Sequence, residues 1–251
     1  MNYQSTTIKS KWTKTKWLLD STKTQKYIPK TLPFNRSNLK TMLSDYSTIY
    51  FKPTGGSGGF HIIRIKKLGD SYQTQHKTEK KRYSTIDSLY EQLNKRAKNR
   101  PYLLQKGIKL ATVNGRPFDI RVMVQKTNSG VWKSTGIFLK IGRRGAVATN
   151  YNQGGDIAFL QQTLTKAGFS KAQIQKIEEE LKKLGESVGN VFSKHGSGFH
   201  ELGLDVALDK EGVFWILEVN TRPQIYPLKD MKDKSMYKRI ISYAKQYGRK
   251  K

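Results

Sequence analysis

Apolar and polar residues alternate most strictly over residues 118–126. Phe118, Ile120, Val122 and Val124 share one face there, and Asp119, Arg121, Met123 and Gln125 share the other. A period of two is the signature of a half-buried strand, so the first set is expected inward and the second outward. Residues 131–141 follow as an antiparallel partner, turning through Asn128-Ser129-Gly130. A second hairpin runs through 204–209 and 213–220 around a Lys210-Glu211-Gly212 break. In its second arm Val213, Trp215, Leu217 and Val219 fall on one face, and Phe214, Ile216, Glu218 and Asn220 on the other. Further strands are expected at 47–52, 60–66, 72–77 and 102–105, with a brief extended piece at Tyr27-Ile28-Pro29.

Helical spacing appears elsewhere. Trp12, Trp17 and the Leu18-Leu19 pair suggest a short helix near the start. Ser84, with Asp87 three residues on, reads as the N-cap of a helix carrying Ile86, Leu89, Tyr90, Leu93 and Ala97. Residues 157–168 read as a helix, and Ser170 with Gln173 caps another whose stripe is Ile174, Ile177, Leu181, Leu184 and Val188. A basic helix over 231–247 closes the chain. Strands dominate to about residue 150 and helices join them afterwards, which predicts an α+β fold.

Composition narrows the function classes. The 251 residues contain no Cys, which excludes a disulfide framework, a thiolate nucleophile and a cysteine zinc cluster. No stretch approaches the roughly 18 apolar residues of a membrane helix, so a soluble, cytoplasmic protein without a membrane partner is expected. With 47 Lys and Arg against 19 Asp and Glu, the net charge of +28 attracts polyanions, and weak non-specific binding to them is expected. The basic residues are dispersed, however, and carry no nucleic-acid-reading motif.

Against this background, carboxylates on an apolar hairpin stand out. Glu218 and Asn220 lie on one face, roughly 7 Å apart along the strand. A connecting loop of two or four residues puts Asp205 on that face too; a three-residue loop does not. Asp205, Glu218 and Asn220 together are oxygen donors of the kind that hold Mg²⁺, with Mn²⁺ as the alternative. A surface hairpin with exposed acids would show the same pattern. Upstream, Lys52 leads into Pro53-Thr54-Gly55-Gly56-Ser57-Gly58-Gly59, where glycines allow backbone N–H groups to approach phosphate oxygens. The loop is neither a Walker A motif nor a Rossmann turn, and a flexible hairpin loop is the plainer reading. Arg121 sits two residues from Asp119, either as an ion pair or as a group aimed at phosphate or carboxylate. His61, His76, His195 and His200 lack ligand spacing.

In order along the chain, several motifs resemble the ATP-grasp superfamily and, more closely, its YheC/YheD branch, associated with bacterial endospore coats. They are Phe51-Lys52-Pro53 with the glycine loop, Leu104-Gln105-Lys106-Gly107-Ile108, Phe118-Asp119-Ile120-Arg121, Asn150 with Gly154-Gly155, Glu201-Leu202-Gly203-Leu204-Asp205, and Glu218-Val219-Asn220. The resemblance implies two α+β lobes clamping ATP, with a basic segment at 1–46, one lobe at 47–108 and the other at 109–251. It implies that Lys52, Gly55, Gly56, Ser57, Gly58 and Gly59 bind phosphates and that Gln105, Lys106, Gly107 and Ile108 form the segment facing adenine. Asn150 would touch nucleotide, and Asp205, Glu218 and Asn220 would hold the metal. Arg121 would be the catalytic contact to the transferring phosphate or the acceptor carboxylate.

The implied activity is a carboxylate–amine ligase working through an acyl phosphate and releasing ADP, its carboxylate and amine substrates unknown. The alternatives are a non-catalytic basic coat or polyanion-binding protein on the same fold, or a phosphotransferase. Relatives usually carry an extra domain ahead of the grasp, and here the grasp is expected to begin almost at once. Lys106 stands where many relatives have an acid, and an earlier nucleotide-touching lysine is Lys11, Lys16 or Lys30. Spore association follows from the same resemblance.

Overall fold

A computed structural model describes residues 2–56, 58–147, 149 and 154–249. The chain runs α1 (Lys11–Leu19), β1 (Thr31–Pro33), α2 (Arg36–Asp45), β2 (Thr48–Pro53), β3 (Ile63–Leu68), β4 (Ser71–His76), β5 (Glu79–Tyr83), α3 (Ile86–Ala97) and β6 (Tyr102–Lys106). It continues with β7 (Thr112–Val113), β8 (Arg116–Lys126), β9 (Trp132–Ile141), β10 (Asp156–Phe159), α4 (Leu160–Lys166), α5 (Lys171–Lys194), β11 (Glu201–Leu208), β12 (Phe214–Asn220) and α6 (Ser235–Gln246). The fold is α+β, built on two antiparallel sheets. One has the order β1-β6-β2-β3-β4-β5; the other is β10-β9-β8-β11-β12, with β7 paired to β8.

Helices α2 and α3 cover the first sheet, burying Leu39, Met42, Leu43, Leu89 and Leu93 against Ile49, Phe51, Ile63 and Ile65. Under the second sheet lies α5, whose expected stripe is buried and whose N-terminus is a reciprocal Ser170–Gln173 capping box. Glycines let α5 approach closely: a Cβ at Gly189 would lie 2.5 Å from the Trp132 ring, and one at Gly185 2.8 Å from Val124. Helix α6 packs on the other face of this sheet, against Met123 and Phe138. Residues 1–46 are shared between the two cores, with Leu18 and Ile28 in the second-sheet core and α2 in the first.

Several expectations change. Of the piece expected to be extended, Tyr27 ends a 3-10 turn over Gln25–Tyr27 while Ile28 is extended, and α2, capped by Asn35, was not anticipated. The cap of α3 is Thr85, one residue past Ser84. Residues 156–159 pair with β9 as a strand, so only 160–166 of the expected helix forms. Met123 and Gln125, expected outward, are fully buried, because α6 covers that half of the sheet. Asp119 and Arg121 are buried as well, in the floor of a cleft.

Candidate active site

The cleft lies between the two sheets, has a volume of about 430 Å³, and is lined by eight Lys and Arg side chains against three acids. Pockets of ~300–1,000 Å³ are the usual size for small-molecule sites. Four strands of the second sheet supply its charged floor. Asp119 stands opposite Lys140, and Arg121 opposite Asp205, which in turn stands opposite Glu218. Lys140 Nζ lies 3.0 Å from Asp119 Oδ1 and 2.8 Å from Asp205 Oδ1. Arg121 Nε donates to Asp205 Oδ1 at 2.7 Å, and Asn220 Nδ2 to Asp205 Oδ2 at 3.2 Å. Arg121 is therefore held by Asp205, not by Asp119 beside it, whose second oxygen accepts from the Thr149 hydroxyl.

Two β-bulges make this convergence possible. In the β11–β12 hairpin, Asp209 closes a three-residue loop on Val213, and Val206 stands opposite Ile216. Regular pairing would continue with Asp205 opposite Leu217, turning Glu218 into the core. Leu217 is instead an extra residue, and Glu218 arrives opposite Asp205. The strand's faces exchange at that point: Phe214, Ile216 and Val219 are buried in the core, while Leu217, Glu218 and Asn220 line the cleft. A three-residue loop is thus compatible with the carboxylate pair after all. In the β8–β9 hairpin the extra residue is Thr135, which shifts Lys140 from opposite Phe118 to opposite Asp119. Each bulge is held by a distant cation: Lys52 Nζ donates to the Leu217 carbonyl at 3.1 Å, and Arg239 Nε to that of Thr135 at 2.8 Å.

On the first sheet, Lys52 is buried and donates at 2.5 Å to Gln105 Oε1, whose amide donates on to Thr31. Gly55, Gly56, Gly58 and Gly59 all line the cleft, and a Cβ at Gly55 or Gly56 would meet nothing within 4 Å, which leaves room beside that backbone. Gly56 at φ 97° takes a left-handed conformation that suits glycine. Gln105, Lys106 and Ile108 line the cleft too. Gly107 does not; its N–H bonds Thr48 O, and a Cβ there would collide with that oxygen at 2.8 Å. Lys106 Nζ sits 5.4 Å from the Tyr46 ring centroid and 5.0 Å from that of Trp215. Ser57 and Asn150 lie outside the described residues.

Of the three early lysines, the structure brings Lys11 to the cleft. Its Nζ donates to Gly56 O at 2.6 Å and lies 3.1 Å from Glu218 Oε1. Lys16 and Lys30 are exposed and outside the lining. Neither Lys11 nor Lys140 was distinguished in the sequence: the first was one of three lysines, and the second needed a bulge that alternation cannot show. Arg143 and Arg144 bond backbone carbonyls of Gly154 and Asn114 instead of entering the cleft.

Electrostatics separates the groups. Burial pushes the Lys52 ammonium down to about 8, with Glu218 opposing and Lys11 reinforcing. Burial likewise takes Lys14, behind Glu218, to about 8. For Asp205, burial favours the neutral acid, but Arg121 and Lys140 outweigh it and hold the carboxyl well below the usual range. Asp119 goes the other way: burial raises it, Asp205 adds to the rise, and Lys140 and Thr149 compensate only in part. The two neighbouring aspartates are thereby driven apart in acidity.

Among the described residues no group of three or more His, Cys, Asp and Glu is placed to hold a metal ion by itself. The donor set is two carboxylates with one amide, which fits a hard divalent cation that completes its shell with water and phosphate oxygens. Cations already neutralise those carboxylates: Lys11 at Glu218, Arg121 and Lys140 at Asp205.

Comparison with known proteins assigns this architecture. The sequence matches the family described as YheC/D like ATP-grasp over residues 2–250. The chain belongs to that family. It is 27% identical over 209 residues to the endospore coat-associated protein YheD of Bacillus subtilis, and 25% identical over 221 residues to YheC of the same organism. Those alignments cover 78% and 86% of this chain but 45% and 60% of the relatives, so the chain spans about half the length of the curated proteins it matches. Solved ATP-grasp structures share the fold. The ADP complex of N5-carboxyaminoimidazole ribonucleotide synthetase superposes with a TM-score of 0.53 at 13% identity, covering 96% of this chain and 52% of that one. The D-alanyl-alanine synthetase A of Vibrio cholerae gives 0.53 at 13% over 88% and 59%. The C-terminal domain of K. lactis Pby1, an ATP-grasp enzyme, gives 0.54 at 11% over 96% and 74%. No helix among the described residues is long and apolar enough to cross a membrane.

Proposed function

We propose that this YheC/D-like ATP-grasp chain is an ATP-dependent carboxylate–amine ligase. The observation that carries the reading is the cleft floor, where Asp205, Glu218 and Asn220 face Lys11, Lys52, Arg121 and Lys140 beside an open glycine loop. Such a surface suits a triphosphate with its divalent cation, because each carboxylate has a cation partner that can turn to phosphate as the metal arrives. Lys52 and the loop from Gly55 to Gly59, including Ser57, hold the phosphates, and Lys11 joins them from α1. Gln105, Lys106 and Ile108 flank the base, and Asn150 is a further nucleotide contact. Asp205, Glu218 and Asn220 hold Mg²⁺ or Mn²⁺, which supplies neutralisation of the transferring charge.

In the reaction an acceptor carboxylate oxygen bonds to the γ-phosphorus while the bond to ADP breaks. An amine then attacks the acyl phosphate, phosphate leaves, and an amide remains. Arg121 and Lys140 balance charge on the equatorial phosphoryl oxygens, so no protein nucleophile is required. Endospore-coat association is carried over from the names of the relatives.

Incubation with ATP, Mg²⁺ and pooled amino acids tests this. ADP formation that depends on added amine is expected; ADP independent of amine indicates a phosphotransferase. Saturating Mg²⁺-ATP should raise the melting temperature, since a ligand at a hundredfold excess over Kd adds about 2.7 kcal/mol. An unchanged melting temperature overturns the nucleotide reading. Glu218→Gln should remove most of the metal-dependent part of the shift.

A further inference from the structure

Two more hollows adjoin the cleft. The first, of about 550 Å³, shares Arg222 and Gln224 with the cleft and is closed by Tyr3 and Tyr237. The second, of about 470 Å³, shares Lys229 and Tyr237 with the first and continues along α6 past Lys238 to Lys245, over the buried Ile241. They form one track from the surface into the active site. No Asp or Glu among the described residues lines either hollow.

Five of its six cations are exposed; the sixth, Arg249, is half-buried and held by Glu201. Arg222, Lys229, Lys234, Lys238 and Lys245 all face solvent, and the ion pairs of the described residues use none of the five. Two of them rest over aromatic rings: Arg222 lies 4.8 Å from the Tyr3 ring centroid and Lys229 5.9 Å from that of Tyr237. A ring face orients a cation while leaving its N–H groups for a partner. On α5, by contrast, Lys182 is taken up by Glu178 at 2.6 Å.

ATP does not account for this track, because the cleft has its own cations for three phosphates. The occupant is a longer anion that also makes apolar contacts. From Lys234 to Lys245 the helix rises ~16 Å, at about 1.5 Å per residue. An extended peptide covers that distance in about five residues. We propose that the acceptor is an acidic polypeptide segment, laid along α6 with its Asp and Glu carboxylates on Lys238, Lys229 and Arg222, and delivering one carboxylate to the cleft. The proposal rests on the ligase reading, and that reading is what favours peptide over nucleic acid. A nucleic acid matches the charge but carries no carboxylate to activate.

The test uses the full chain, a labelled short oligoglutamate, and an oligothymidylate of matched charge, titrated with and without Mg²⁺-ATP. Lys229→Glu/Lys238→Glu reverses two exposed charges in the track. Lys80→Glu/Lys81→Glu reverses two on the exposed strand β5 as a control. The track variant should weaken oligoglutamate binding by roughly tenfold or more while ATP affinity stays unchanged, and the control should change it far less. Oligoglutamate plus an amine should also stimulate ADP release. Equal weakening by both variants indicates a diffuse field and overturns the proposal, as does tighter binding of oligothymidylate. ADP formed with other carboxylates but never with oligoglutamate overturns the acceptor assignment alone. Oligoglutamate bound on the track with no carboxylate ever yielding ADP overturns the ligase reading and the acceptor role with it.

Discussion

Lys11 and Glu218 meet at 3.1 Å, and the same ammonium donates to the carbonyl of Gly56. One side chain from the start of α1 thus ties the glycine loop to a carboxylate of the candidate metal set. Backbone reinforces the tie, since Lys11 N–H donates to Thr54 O at 2.7 Å. A metal and this ammonium compete for Glu218, whereas a phosphate recruits the ammonium.

Lys11→Met should therefore act in opposite directions on two ligands. Binding of Mn²⁺ alone should tighten by a few-fold, in line with losing a partly exposed ion pair worth under ~1 kcal/mol. Nucleotide binding should weaken by about 1.5–3 kcal/mol, the range for hydrogen bonds to charged groups. Electron paramagnetic resonance of free Mn²⁺ and titration of a fluorescent ATP analogue measure the two. Parallel weakening of both would show that Lys11 only supports the loop.

Arg121 is buried and is one of two cations on Asp205, so its removal carries a stability cost. Arg121→Ala should destabilise the fold by about 1–3 kcal/mol, the cost of leaving a buried partner under-satisfied, because Lys140 remains. Turnover should fall by roughly a hundredfold or more if Arg121 meets the transferring phosphoryl group. Arg121→Lys should recover much of the stability and little of the turnover, because it lacks the planar fork. Denaturant melts and single-turnover kinetics separate these effects.

Burial lowers Lys52 to about 8, so in the free protein the amine is increasingly neutral above that pH. A bound phosphate favours the ammonium, and binding must then take up a proton. Nucleotide affinity should fall as pH rises from about 8 towards the ordinary lysine value of 10.5. Calorimetry at pH 9 in buffers of different ionisation enthalpy should show proton uptake that Lys52→Met reduces. Equal uptake in the variant would assign the proton to another group, with Lys14 the first candidate.

Glu201 is fully buried and accepts from Tyr3 and Tyr247 hydroxyls at 2.6 and 2.8 Å and from Arg249 at 2.6 Å, fastening both chain ends to β11. Burial first, then Glu201, raises both phenols well above the ordinary value of 10. A raised group stabilises fully below its unfolded pKa, and that contribution is lost as pH climbs past it, because the unfolded chain releases protons the native state keeps. Stability should therefore drop above pH 10 more steeply in the wild type than in a Tyr3→Phe/Tyr247→Phe variant. Melting curves across pH 9–11 decide it; identical slopes would remove these phenols from the linkage.

The sequence by itself determined the α+β class, the α5 cap and stripe, the alternation of β8 and the order of motifs that marks an ATP-grasp chain. These signals are local: a capping box or a two-residue period is complete within a dozen residues. It also singled out Lys52, Arg121, Asp205, Glu218 and Asn220, all of which line one cleft. Only the tertiary structure decided how they face one another. Cross-strand register is the sum of loop length and bulges, and a one-residue error turns every later side chain to the wrong face. Thr135 and Leu217 are the residues that correct it, and nothing in their own neighbourhoods announces them. A bulge leaves a backbone carbonyl without its ladder partner, and here the missing donors are Arg239 and Lys52, more than a hundred residues away along the chain. Lys140 and Lys11 joined the site for the same reason: their partners are fixed by packing between segments that the sequence lists far apart.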